Sequence, residues 1–124
     1  MRESIVSIRR TKTYSAETGY VYQYYFEELR SPQVRSDCHG SEYIFMVSRD
    51  RKTAQPVAVF LRQDALRGWA AGHGRELTGS EQYAAVKMRL FRFFDESEDW
   101  EAERLGVEVT PENIEELLAQ LQVE

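Results

Sequence analysis

Few residues in this chain have the chemistry for catalysis, and they are scattered. The single cysteine stands beside one of the two histidines in the run Asp37-Cys38-His39-Gly40. A nearby imidazolium can activate a thiolate, which makes this the one reactive-looking cluster. Side chains adjacent in sequence seldom face each other, however, and a nucleophile and its base must lie within hydrogen-bond reach. The run therefore reads first as a polar loop with an ordinary cysteine. His73 falls at the end of a predicted helix, and nothing in the spacing joins it to His39 and a third ligand. No metal site and no cofactor are expected. Glycine-rich phosphate loops and the CxxC, HExxH and GxSxG motifs are missing. The pairs Glu27-Glu28, Asp95-Glu96, Glu98-Asp99 and Glu115-Glu116 lie in charged stretches. General acid–base work needs an enclosed carboxyl group with a raised pKa, so these pairs read as solvated faces. No catalytic residue is assigned. An enzyme is the least supported class, with Cys38, His39, His73 and Tyr83 as its candidates in a pocket between sheet and helices.

Cations and aromatics offer two binding surfaces instead. Tyr20, Tyr22 and Tyr24 with Arg10 and Lys12 have the makings of a stacking and phosphate-tracking platform. The same row is the most apolar face of its strand, and helices need a sheet face to cover, so core packing is the preferred reading. The opposite sheet face would then carry Arg9, Thr11, Gln23, Tyr25 and Arg49. Ile44, Met46, Ala58 and Phe60 would add apolar surface beside Tyr25, as at a protein-contact patch. Pairing two copies would cover it cheaply. The leading expectation is thus a small protein-interaction or regulatory domain, self-associating or meeting a protein partner through that face. The alternative is a nucleic-acid-binding module that gathers Arg10, Lys12, Arg51 and Lys52 from strand ends and turns.

The elements that must position these residues are legible from periodicity. Residues 4–14 read as a strand with β-branched residues and no proline. In residues 20–29 Tyr20, Tyr22, Tyr24 and Phe26 alternate with Val21, Gln23, Tyr25 and Glu27 at period two. The two strands are close enough in sequence for a hairpin. Residues 31–40 read as a loop, marked by Pro32 and Gly40. Residues 42–49 and 56–61 are apolar on both faces, as central strands are. The period then becomes helical. Leu66, Trp69, Ala70 and His73 mark one helix, closed by Gly72 or Gly74. Thr78 and Glu81 form a capping-box pattern that opens a second, with Tyr83, Val86, Leu90, Phe93 and Phe94 on its apolar face. Residues 95–104 are acidic and carry Trp100, as a short helix or a loop. Thr110-Pro111-Glu112 starts a last helix whose stripe is Ile114, Leu117, Leu118 and Leu121. The expectation is a single α+β domain over residues 1–124, in which a four-stranded antiparallel sheet in the N-terminal half is packed on one face by two to three C-terminal helices.

Composition bounds the rest. The chain has 124 residues, 42% of them hydrophobic, which suffices for one core without staples. One cysteine excludes an internal disulfide and fits a reducing, cytoplasmic setting. No apolar run is long enough to span a bilayer, so no membrane partner is expected. The net charge of −5 weighs mildly against nonspecific nucleic-acid binding. That total hides an asymmetry. Residues 1–62 carry ten Lys and Arg against seven Asp and Glu, and residues 63–124 carry six against fourteen. The simplest reading is that the two halves complement each other within one fold.

Overall fold

The computed structural model describes residues 10–121. The strands are β1 (Lys12–Ser15), β2 (Val21–Arg35), β3 (Cys38–Ser48), β4 (Gln55–Arg62) and β5 (Val107–Val109). The helices are α1 (Gln63–His73), α2 (Gly79–Glu96), α3 (Trp100–Glu103) and α4 (Ile114–Ala119). The five strands make one sheet in sequence order. The first four pair antiparallel, and β5 lies parallel to β4, with Val59 opposite Val107. The α+β class is as expected, but the sheet is mixed and five-stranded. Val107-Glu108-Val109 is too short a run for alternation to announce, and its pairing depends on a crossover through α1, α2 and α3 that periodicity does not record. Of the strand expected over residues 4–14, Lys12 to Tyr14 are observed in β1, Arg10 and Thr11 precede it without strand structure, and residues 4–9 lie outside the described residues.

The segment 31–40 is not a loop. β2 and β3 run through it as a long hairpin, with Gln33 opposite Gly40 and Arg35 opposite Cys38. Ser36 and Asp37 turn the chain with φ of 50° and 65°. Two consecutive left-handed residues match the twist of the flanking strands, which is why two residues suffice. Register shifts between Phe26 and Glu28 and between Arg30 and Gln33 bend β2. Gly40 is required where β3 meets β4. A Cβ there would run into the Leu61 carbonyl oxygen and lie 2.8 Å from Phe60 Cζ.

One sheet face packs on the helices. Tyr22, Tyr24, Tyr43, Phe45, Val47, Val57, Val59 and Leu61 meet Ala65 and Trp69 of α1, Val86, Leu90 and Phe94 of α2, and Leu117 and Leu118 of α4. Tyr22 stacks on Phe94 with ring centroids 4.1 Å apart. The helix ends follow local chemistry. Gly74 closes α1 in the left-handed conformation, its N–H donating to Ala70 O. The Thr78 side chain accepts from Glu81 N while Glu81 Oε1 accepts from Thr78 N, the reciprocal capping box. The last helix starts one turn later than Thr110-Pro111 suggests. Asn113 Oδ1 accepts from Thr110 N while the Thr110 carbonyl accepts from Asn113 N and Ile114 N, so a hydrogen-bonded turn precedes the regular helix. Among the described residues no helix is long and apolar enough to cross a membrane.

Candidate functional site

Arg10 and Lys12 enter the structure on the edge hairpin. Lys12 is opposite Tyr24 and shares its sheet face, the face that α2 covers. Along α2 Tyr83, Lys87 and Phe91 follow at i, i+4 and i+8, so they stand in one row. Where that row meets β2 lies an open cleft of about 240 Å³, lined by Arg10, Lys12, Tyr24, Tyr25, Phe26 and Tyr83. Its floor is aromatic. Tyr24 is 4% exposed, whereas Phe26 is 37% exposed and meets Tyr83 edge-on at 5.6 Å. Lys87 Nζ lies 5.6 Å from the Tyr24 ring, 5.5 Å from Tyr83 and 5.6 Å from Phe91.

The electrostatics of this cleft are one-sided. Among the described residues no carboxylate pairs with Arg10, Lys12 or Lys87. Burial pushes the Lys87 ammonium below the ordinary lysine range, and the Lys12 charge pushes it further. Burial also raises the Tyr24 and Tyr83 hydroxyls, so both stay protonated donors at neutral pH. The ring faces attract the ammonium by about 0.5–1 kcal/mol, which keeps it in place without supplying a counter-charge.

The other candidate residues are dispersed. Arg9 lies outside the described residues. Thr11 is exposed just before β1. Gln23, opposite Thr13 and Ser48, and Tyr25, opposite Met46, alternate to the sheet face away from Tyr22 and Tyr24 and are half-buried, and Tyr25 also borders the cleft. Arg49 is not with them. It sits beyond the end of β3 with its guanidinium carbon 5.0 Å from both the Tyr20 and Trp100 rings, on the side of α3. Two rings outbid solvent for a planar cation. Arg51 and Lys52 are exposed in the β3–β4 turn, which Asp50 ties down by accepting from Lys52 N at 2.8 Å and Thr53 N at 3.0 Å. They do not line the cleft that holds Arg10 and Lys12. The apolar patch expected on the uncovered face is mostly closed: Ile44, Ala58 and Phe60 are 8%, 2% and 1% exposed. The Arg35 guanidinium lies 4.8 Å over Phe60, held by Glu42 at 2.9 Å and by the Val107 carbonyl at 3.3 Å.

The candidates for catalysis do not converge either. Cys38 and His39 are neighbours on a strand and point to opposite faces. His73 stacks on Trp69 and meets Glu115 at 2.9 Å. Tyr83 alone reaches the cleft. Lys87 was the residue that sequence reasoning passed over. Its signal was the spacing from Tyr83 to Phe91, which reads equally well as the margin of a core-facing helix. The chain matches no protein-family model, no curated protein and no solved structure.

Proposed function

We propose that this chain is a binding domain that takes an anionic ligand at the cleft between the β1–β2 edge and α2. A single observation carries the reading: Arg10 and Lys12 line the cleft, Lys87 lies over the Tyr24 and Tyr83 rings of its floor, and among the described residues no carboxylate is paired with any of the three. Like charges brought together cost free energy, and a bound anion repays it. Titration with inorganic phosphate at low salt, followed by amide chemical shifts, tests this. Shifts centred on Lys12, Tyr24 and Lys87 that weaken with added chloride are expected. Uniform or absent shifts would sink the reading.

A protein partner or a second copy is the other reading that an observation favours. Phe26, Leu29 and Val34 follow one another on the helix-side face of β2 and are 37%, 49% and 60% exposed. Such a row suits a contact with another chain. Sedimentation from micromolar to millimolar concentration decides whether the partner is a second copy. A mass that stays monomeric throughout removes that version.

A further inference from the structure

The anion's source follows from the charge count, the open ring and the acidic neighbourhood of the same cleft. This inference rests on the reading just given and narrows it. Three cations exceed what one carboxylate neutralises. A phosphate monoester, at about −1.5 to −2 near neutral pH, matches them better and offers three acceptor oxygens. The walls ask for more than phosphate. Phe26 keeps over a third of its surface open, while Tyr83, Phe45 and Tyr43 hold the rest of the ring with centroids 5.6, 5.7 and 6.2 Å away, so a flat ligand would lie on its exposed part. Bases stack on such faces with about 1–3 kcal/mol each. The volume of about 240 Å³ sits below the roughly 300–1,000 Å³ of sites that enclose a drug-sized ligand. It holds the phosphate and leaves the flat part of the ligand on the open Phe26 surface.

A long strand is disfavoured by what lies beyond Phe91. The next cleft along α2, of about 500 Å³, is lined by Glu17, Asp95, Glu96 and Glu116. Its one cation, Arg92, is already bonded to Glu116 at 3.1 Å. A phosphodiester backbone leaving the Lys87 side would run into those carboxylates. We infer that the cleft binds a single nucleotide, its phosphate among Arg10, Lys12 and Lys87 and its base stacked on Phe26.

The experiment is isothermal titration of the full chain at low salt with five probes: inorganic phosphate, ribose 5-phosphate, adenosine, adenosine monophosphate and a 5′-phosphorylated oligothymidylate. The mononucleotide is expected to bind about tenfold or more tighter than ribose 5-phosphate or adenosine, since stacking and charge add. The double variant Lys12→Gln/Lys87→Gln should bring it down to the level of adenosine. Phe26→Leu, which keeps the apolar contact with Tyr83 but loses the flat ring, should bring it down to the level of ribose 5-phosphate. Circular dichroism of each variant establishes that it is folded. Equal binding of ribose 5-phosphate and the mononucleotide would leave the anion reading standing and overturn the nucleotide. Tighter binding of the oligonucleotide would overturn the single-nucleotide assignment in favour of a strand. No heat and no shifts with any anion would overturn both.

Discussion

Tyr14→Phe isolates one bond that ties the edge hairpin to the helical layer. Tyr14 Oη donates to Asp95 Oδ2 at 2.7 Å, and Asp95 Oδ1 accepts from Glu17 N at 3.0 Å. The Tyr14 ring stacks flat on Phe91 at 4.4 Å, so phenylalanine keeps the packing and loses only the hydroxyl. Hydrogen bonds to a charged group contribute about 1.5–3 kcal/mol. Burial, and then the bond and the charge of Asp95, hold the Tyr14 hydroxyl up at about 12 instead of 10.0. That difference corresponds to roughly 2.7 kcal/mol at most. Part of it is burial rather than the bond, and water at the margin screens the rest, leaving about 1–2 kcal/mol for the substitution. The Tm should fall by roughly 3–8 °C. The pH dependence has a definite sign. A group whose folded pKa is raised contributes stability fully present below its unfolded value, near 10, and lost as pH rises toward 12. Urea unfolding of both proteins between pH 7 and 11 reads this out. The gap between them should be constant to about pH 9.5 and then narrow. A variant within a degree of the parent, or a gap indifferent to pH above 10, would refute the argument.

Four further outcomes follow from the geometry. Thr78→Ala should cost about 1 kcal/mol by removing the cap on α2, measured by urea unfolding. Glu81, held down to about 2 first by the Arg75 side chain and then by the Thr78 amide, contributes stability present above its ordinary value. That contribution should disappear as pH falls from about 4.5 toward 2, and Glu81→Gln should flatten that part of the acid-stability curve. Gly40→Ala should cost about 1–3 kcal/mol, since the Leu61 carbonyl belongs to the neighbouring strand and cannot step aside; an unchanged urea midpoint would mean the strands separate more easily than this. Anion affinity at the cleft should fall as pH rises through the lowered pKa of Lys87, beginning below the ordinary lysine value of 10.5, and Lys87→Arg should move the fall to higher pH.

How much of this was legible depended on whether the signal was local. The capping box at Thr78 and Glu81 and the stop at Gly74 are one-turn chemistry, and they appear where residue types put them. The Tyr22 and Tyr24 alternation predicted the covered face because period two fixes which side chains travel together. It could not say where the helices stop, so Tyr20 and Phe26, in the same row, are half open. Ser36-Asp37 lacks the Asn-Gly or Asp-Gly pair that usually announces a two-residue turn, and Pro32 nearby suggested a loop. The cleft was half visible. Arg10 and Lys12 were paired in the reading, but Lys87 comes from a helix more than seventy residues on. Helical spacing says which residues share a face, not what stands opposite.

The parallel seat of β5 has a consequence for how the chain reaches its fold. β1 through β4 are joined by short connections and can pair as soon as they exist. β5 must wait until α1, α2 and α3 have been laid down, because Val107 meets Val59 only across that whole crossover. Until then β4, with Val57 through Leu61 apolar on both sides, offers a bare edge to any other strand. Three residues thus act as the fold's own guard against self-templating, and they follow the other four described strands along the chain. A chain cut short before Val107 would keep most of its core-forming side chains and lose its protection from its neighbours. Its failure would show as insoluble material, in proportion to how crowded the nascent copies are.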